Sequence, residues 1–292
     1  MLWFKKQPDV AAIATGGIAE VISAAPLAVE FDPPLFQHKL SALQHNVEDS
    51  GGVEAFVTAL RAKHEFYDRV LSQDALPGMT ESLLEELLDT VFSARRRIYS
   101  ELLALGTPKV SESIYALLYG PGELSVRMEA FSHLIPLDEN AGREVRKQAG
   151  KNRRAAFDFG AEMLHFRDPE RYPLMTRWVW DQSTVSGALR EFVRGGDARA
   201  EIPLGTSPEM FEGARAWLVT QLAEQGVYRD MPFWVDLVLV QAYTEYFRSM
   251  ADGMLSADFG RGITPVEHLR KFLGIDAPLR EGVTRVKRVI TI

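Results

Sequence analysis

There is no cysteine anywhere in this 292-residue chain. Disulfides, thiolate nucleophiles, cysteine-ligated zinc and iron–sulfur clusters are therefore excluded together, and so is a small secreted fold stapled by bridges. Positive charge is also short: 33 Lys and Arg stand against 40 Asp and Glu, a formal net charge of −7. That balance repels polyanions on average, so nucleic acid or an anionic membrane would need a local basic patch. Long apolar runs are missing too. Residues 10–28 follow Lys5 and Lys6, but Glu20 and the Gly16-Gly17 pair interrupt them, too often for a signal sequence or a membrane span. They read as a surface or docking segment; no membrane insertion is expected, and the cytoplasm is the expected compartment. No Gly-x-Gly-x-x-Gly, Walker loop, His-Glu-x-x-His or Gly-x-Ser-x-Gly occurs, so nucleotide, zinc-protease and serine-hydrolase readings have no motif and no cofactor is expected.

What is present is apolar spacing of three and four residues, in a chain that is 46% hydrophobic and long enough to bury a sizeable core. The spacing predicts an all-α, bundle-like protein with at most a minor β element. Helices are expected at 35–46, 53–72, 81–105, 111–118, 125–134, 139–166, 184–193, 208–225, 232–250 and 265–273. Thr80, Ser207 and Thr264 stand where N-caps belong, the last two followed by proline. Gly106-Thr107-Pro108, Gly120-Pro121-Gly122, Gly195-Gly196 and Gly274 stand at the stops. Leu27, Val29 and Phe31 alternate with smaller or polar neighbours, and the tail to Ile292 is rich in β-branched residues. These facts divide the chain into an arm (1–34), two helical halves (35–137 and 138–276) and a strand-like tail (277–292). The break at 136–140 is short, so one continuous helical domain is an equal alternative. The tail, with Ile290 and Ile292, pairs either with the segment around Val29 or with the sheet edge of a partner.

Residues 142–181 concentrate the candidate chemistry. Glu162 and His165 have the Glu-x-x-His spacing of carboxylate-bridged metal bundles, but no second copy exists. On a helical wheel Arg143, Lys147, Lys151, Arg154, Asp158, Glu162 and His165 share one stripe, opposite Ala156, Phe157, Met163 and Leu164. That phase predicts a solvated polar face and no metal. Residues 143–154 carry six basic side chains against Glu144, a local balance of +5. They form either an anion-facing surface or an ordinary face paired with acidic residues such as Glu81, Glu85, Glu86 and Asp89. Asp138 and Glu139 are expected to satisfy the start of that helix. Tyr172, Trp178 and Trp180 follow as aromatic anchors.

The run from Glu162 through Leu164-His165-Phe166, Pro169 and Tyr172-Pro173 to Asp181 resembles a stretch of helix-hairpin-helix proteins related to base-excision glycosylases. The glycine-bounded hairpin and catalytic lysine of that family have no counterpart upstream, so the resemblance implies a way of ending one buried helix and starting another, and transfers no catalytic role.

Asp236 sits in Phe233-Trp234-Val235-Asp236-Leu237-Val238-Leu239-Val240, which is apolar nearly all round and reads as a central helix. A carboxylate there needs a fixed partner, with Arg177 or Arg215 as candidates, or a shifted pKa of the kind active sites use. The expectation is an accessory or adaptor protein without catalysis of its own. It binds another macromolecule, expected to be a protein, through Tyr172, Trp178, Trp180, the basic stripe and the tail. An enzyme or ligand binder centred on Asp236, with Trp234 and Tyr243 lining its pocket, is one alternative. A nucleic-acid-associated protein using residues 143–154 is the other, disfavoured by the net charge.

Overall fold

The structure is a computed structural model that describes residues 21–196, 201–253, 263–276 and 284–286. Its helices are α1 (Pro33–Val47), α2 (Gly52–Val70), α3 (Glu81–Asp89), α4 (Tyr99–Leu105), α5 (Thr107–Tyr119), α6 (Leu124–Ser132), α7 (Arg143–Arg167), α8 (Pro208–Glu224), α9 (Met231–Gly253) and α10 (Pro265–Phe272). Among the described residues there is no sheet: Phe31 makes one antiparallel bridge with Val193, and Asp181 another with Ser186. The segment around Val29 is therefore held by Val193, while Ile290 and Ile292 lie outside the described residues.

Helix starts follow their caps. The side chains of Thr80 and Ser207 accept from the main-chain N–H groups of Leu83 and Met210, and Thr264 forms a reciprocal capping box with Glu267. Two expected helices are corrected. The stretch 81–105 breaks into α3 and α4 because tertiary contacts take the main chain at Thr90. Lys63 Nζ donates to the Thr90 carbonyl at 3.1 Å, and the Thr90 hydroxyl bonds Tyr67 and Leu87 O. Gly274, at φ +67°, presses so closely on that carbonyl that a Cβ would stand 1.6 Å from its oxygen. Robbed of its ladder acceptor, the chain turns. The stretch 184–193 is a tight turn followed by a 3₁₀ helix, Ala188–Phe192, since Val185 takes a positive φ of 50° that no helix accepts.

Buried side chains from both sides of Pro136 form one contiguous cluster. α7 and α9 lie at its centre: residues 158–166 of α7 and 235–242 of α9 are buried throughout, and His165 and Asp236 are the side chains that meet between them. α1 is tied to α9 where Lys39 donates to Glu245 at 2.5 Å and to Glu191 at 3.0 Å. Burial pulls the Lys39 ammonium down, but those two carboxylates more than offset it and hold it above its ordinary value.

Candidate functional site

Spacing of four and three residues puts Asp158, Glu162 and His165 on one face of α7. That face points inward. Their exposures are 1%, 2% and 1%, so the predicted solvated stripe is corrected from residue 158 onward. The physical reason is that this half of α7 is buried on every side, and an apolar arc identifies the inward face only when the other face meets water.

Each group on this face meets an ionisable side chain from another part of the chain. Asp158 accepts from Arg177 three times: from its main-chain N at 3.0 Å, its Nε at 3.3 Å and its Nη2 at 2.7 Å. Glu162 accepts from Lys63 Nζ of α2 at 2.7 Å, while the same ammonium donates to Leu273 O at 2.8 Å and stands 3.8 Å above the Phe166 ring. His165 contacts Asp236 Oδ2 of α9 through Nε2 at 2.8 Å and the Tyr172 carbonyl through Nδ1 at 2.8 Å. Burial pushes the Asp158 and Glu162 carboxyls up against the pull of Arg177 and Lys63, and it pushes the Lys63 ammonium down against the pull of Glu162.

The His165 geometry fixes a proton count. A carbonyl only accepts, so Nδ1 carries a proton, and the 2.8 Å contact at Nε2 holds one more, on the ring or on the carboxyl. Either placement leaves the pair neutral overall. A cavity borders it, lined by His165, Pro173, Leu174, Arg215 and Asp236 among others, but a water molecule's centre can occupy only about 10 Å³ of it. That is room for about one water and for no substrate. Trp234 and Tyr243 do not line it. The partner of Asp236 is His165, not Arg177 or Arg215; Arg215 instead donates to Pro169 O and Glu170 O, both at 2.9 Å. Among the described residues no group of three or more His, Asp or Glu is placed to hold a metal ion; Glu162 and His165 are each committed to a protein partner.

The aromatic anchors are also inside. Tyr172, Trp178 and Trp180 are exposed by 5%, 7% and 1%. Trp178 packs on Tyr243 with ring centroids 5.7 Å apart, and the Trp180 indole donates to Leu204 O at 3.2 Å. They pack the core where the chain leaves α7, and the docking surface expected of them is corrected accordingly.

The basic stripe has a different setting. α7 begins at Arg143, not at residue 139; its N-cap Gly142 offers no side chain, and Asp138 is spent on the Asn140 N–H at 2.9 Å. Every residue from Arg143 to Gln148 is exposed, Val145 by 61%, and no atom would lie within 4 Å of a Cβ at Gly142 or Gly150. This end of the helix stands clear of the body. Among the described residues no carboxylate bonds Arg143, Arg146, Lys147, Lys151 or Arg154, so the expected pairing with Glu81, Glu85, Glu86 or Asp89 is absent there. Arg153 turns away to donate to Ile135 O at 2.8 Å.

No family model, curated protein or solved structure matches the chain. No described helix is long and apolar enough to cross a membrane.

Proposed function

We propose that this protein binds another macromolecule through the free end of α7 and performs no chemistry with the buried groups of that helix. One observation carries the reading: cations occupy the wrong end of a helix and have no acidic partner among the described residues. Arg143, Arg146 and Lys147 lie in the first turns of α7, where the helix dipole is already positive and no side chain caps the N–H groups. Each such cation costs a few tenths of a kcal/mol to about 1 kcal/mol at low ionic strength. An anionic partner reverses the sign of every one of those terms. Arg143, Lys147, Lys151 and Arg154 then form a recognition stripe, with exposed Val145 beside it as an apolar contact.

The first reading is an acidic face of a partner protein, since a chain of net charge −7 is repelled as a whole by extended polyanions. Nucleic acid is the second, favoured because every residue from Arg143 to Gln148 is exposed, as entry into a major groove requires. The test is capture from nuclease-treated extract by the full chain and by the Arg143→Ala/Lys147→Ala/Lys151→Ala/Arg154→Ala variant. A protein held by the wild type and lost by the variant supports the first reading. Nucleic acid recovered only without nuclease, with affinity falling steeply as salt rises, supports the second. Equal capture by both chains overturns the proposal.

A further inference from the structure

The 20 residues between α7 and the 3₁₀ helix Ala188–Phe192 contain no helix and no strand beyond one bridge. An irregular stretch of that length inside a packed protein is usually functional, and this one builds a wall of a cavity of about 370 Å³. Phe157, Met175, Trp180 and Phe211 supply its apolar lining, and Arg177, Asp181, Gln182, Ser183 and Thr206 its polar one. We propose that this cavity binds a free α-amino acid with an aromatic or large aliphatic side chain, its carboxylate on Arg177 and its ammonium on Asp181.

Two charged groups, Arg177 and Asp181, face the cavity. Asp158, buried beneath, grips Arg177 along its Nε and Nη2 edge, so the guanidinium is held in place while its side chain remains 32% exposed. Among the described residues nothing accepts from Nη1, which leaves that side of the fork for a ligand carboxylate. Asp181 is held as firmly: its Oδ1 accepts from Ser183 N at 3.0 Å and Ser183 Oγ at 2.5 Å, and its main chain pairs with Ser186. The loop is strained as well. Val185 sits at φ +50°, a conformation β-branched residues avoid, and Arg190 Nη1 pins its carbonyl at 2.7 Å. Strain of this kind persists only where surrounding contacts overdetermine it, as at ligand clamps.

Charge decides the ligand class. Asp158 already neutralises Arg177 and Asp181 adds a further negative charge, so a simple carboxylate meets a site of formal charge −1. A simple amine leaves the free guanidinium edge without an acceptor once it is covered. A zwitterion satisfies both groups and still presents an apolar body to the cavity's apolar wall, where half-buried Phe157 is the most accessible side chain. The volume lies at the low end of the range of about 300–1,000 Å³ for ligand sites, which suits one amino acid and excludes a dinucleotide.

Calorimetric titration of the full chain with L-phenylalanine, phenylacetate and phenethylamine tests this. Phenylalanine is expected to bind with a Kd below roughly 1 mM, and roughly tenfold more tightly than either single-charge analogue. Asp181→Asn, on the half-exposed loop, keeps the oxygen that Ser183 needs and is expected to lower phenylalanine affinity to that of phenylacetate. Arg177→Lys keeps a cation against Asp158 and is expected to weaken phenylalanine and phenylacetate alike. No saturable binding, equal affinity for all three compounds, or wild-type affinity in both variants overturns the assignment.

Discussion

Glu162 and Lys63 are each nearly inaccessible to water, and among the described residues neither has another charged partner within hydrogen-bond reach. Breaking such a pair strands one charge in a medium that cannot solvate it, which costs about 3–5 kcal/mol, whereas replacing both with apolar groups is close to neutral. Glu162→Gln is expected to lose most of that range in urea denaturation, and Lys63→Met/Glu162→Leu to recover only part of it, because the Thr90 and Leu273 carbonyls lose the ammonium that bonds them. Equal destabilisation by single and double variants would show that the pair is not the source. The His165 and Asp236 pair behaves differently. In Asp236→Asn the amide can donate to Nε2 while Nδ1 keeps its proton for Tyr172 O, so a loss below about 1 kcal/mol is expected. His165→Phe leaves the carboxylate unpartnered and is expected to cost about 3 kcal/mol or more. Thermal unfolding of the two variants side by side gives the comparison.

Among elements, the segment before α1 crosses α8 at a single glycine. Ala25 N donates to Glu209 O at 2.9 Å, and a Cβ on Gly213 would stand 2.1 Å from Ala25 O. Gly213→Ala raises the intrinsic helix propensity of α8 by about 1 kcal/mol, yet it evicts the segment that rests there. Amide exchange is expected to quicken across residues 21–27 while α8 keeps its protection. Unchanged exchange in the segment would mean that the contact does not hold it. The opposite arrangement governs the start of α7, whose residues 143–148 are all exposed. Replacing Arg143 and Lys147 by alanine is expected to change global stability by less than about 0.5 kcal/mol while removing charge from the proposed recognition stripe, so a loss of binding in that variant is not a loss of fold.

For the molecule as a whole, buried phenols set a limit in alkali. Burial first, and then the neighbouring Tyr246 and Asp158, raise the Tyr243 phenol to about 12, and burial raises Tyr67 well above its ordinary value. The folded chain keeps protons that the unfolded chain releases near pH 10. Stability from Tyr243 is therefore complete below about pH 10 and lost as pH climbs towards about 12, by about 2–3 kcal/mol. Denaturation midpoints at pH 9 and pH 11 measure the fall, and Tyr243→Phe is expected to reduce it; an identical fall in the variant would assign it elsewhere. Helix class, most helix bounds, the caps at Thr80, Ser207 and Thr264, and the inward placement of Asp236 were all legible in sequence, because each depends on contacts within a few residues. The partner of Asp236, the inward turn of Glu162, the break at Thr90 and the burial of Trp178 and Trp180 were not. Those depend on Lys63, His165, Gly274 and Tyr243 arriving from distant elements. Local periodicity records which residues share a side of a helix; only packing decides which sides are left to water, and so which charges must find one another.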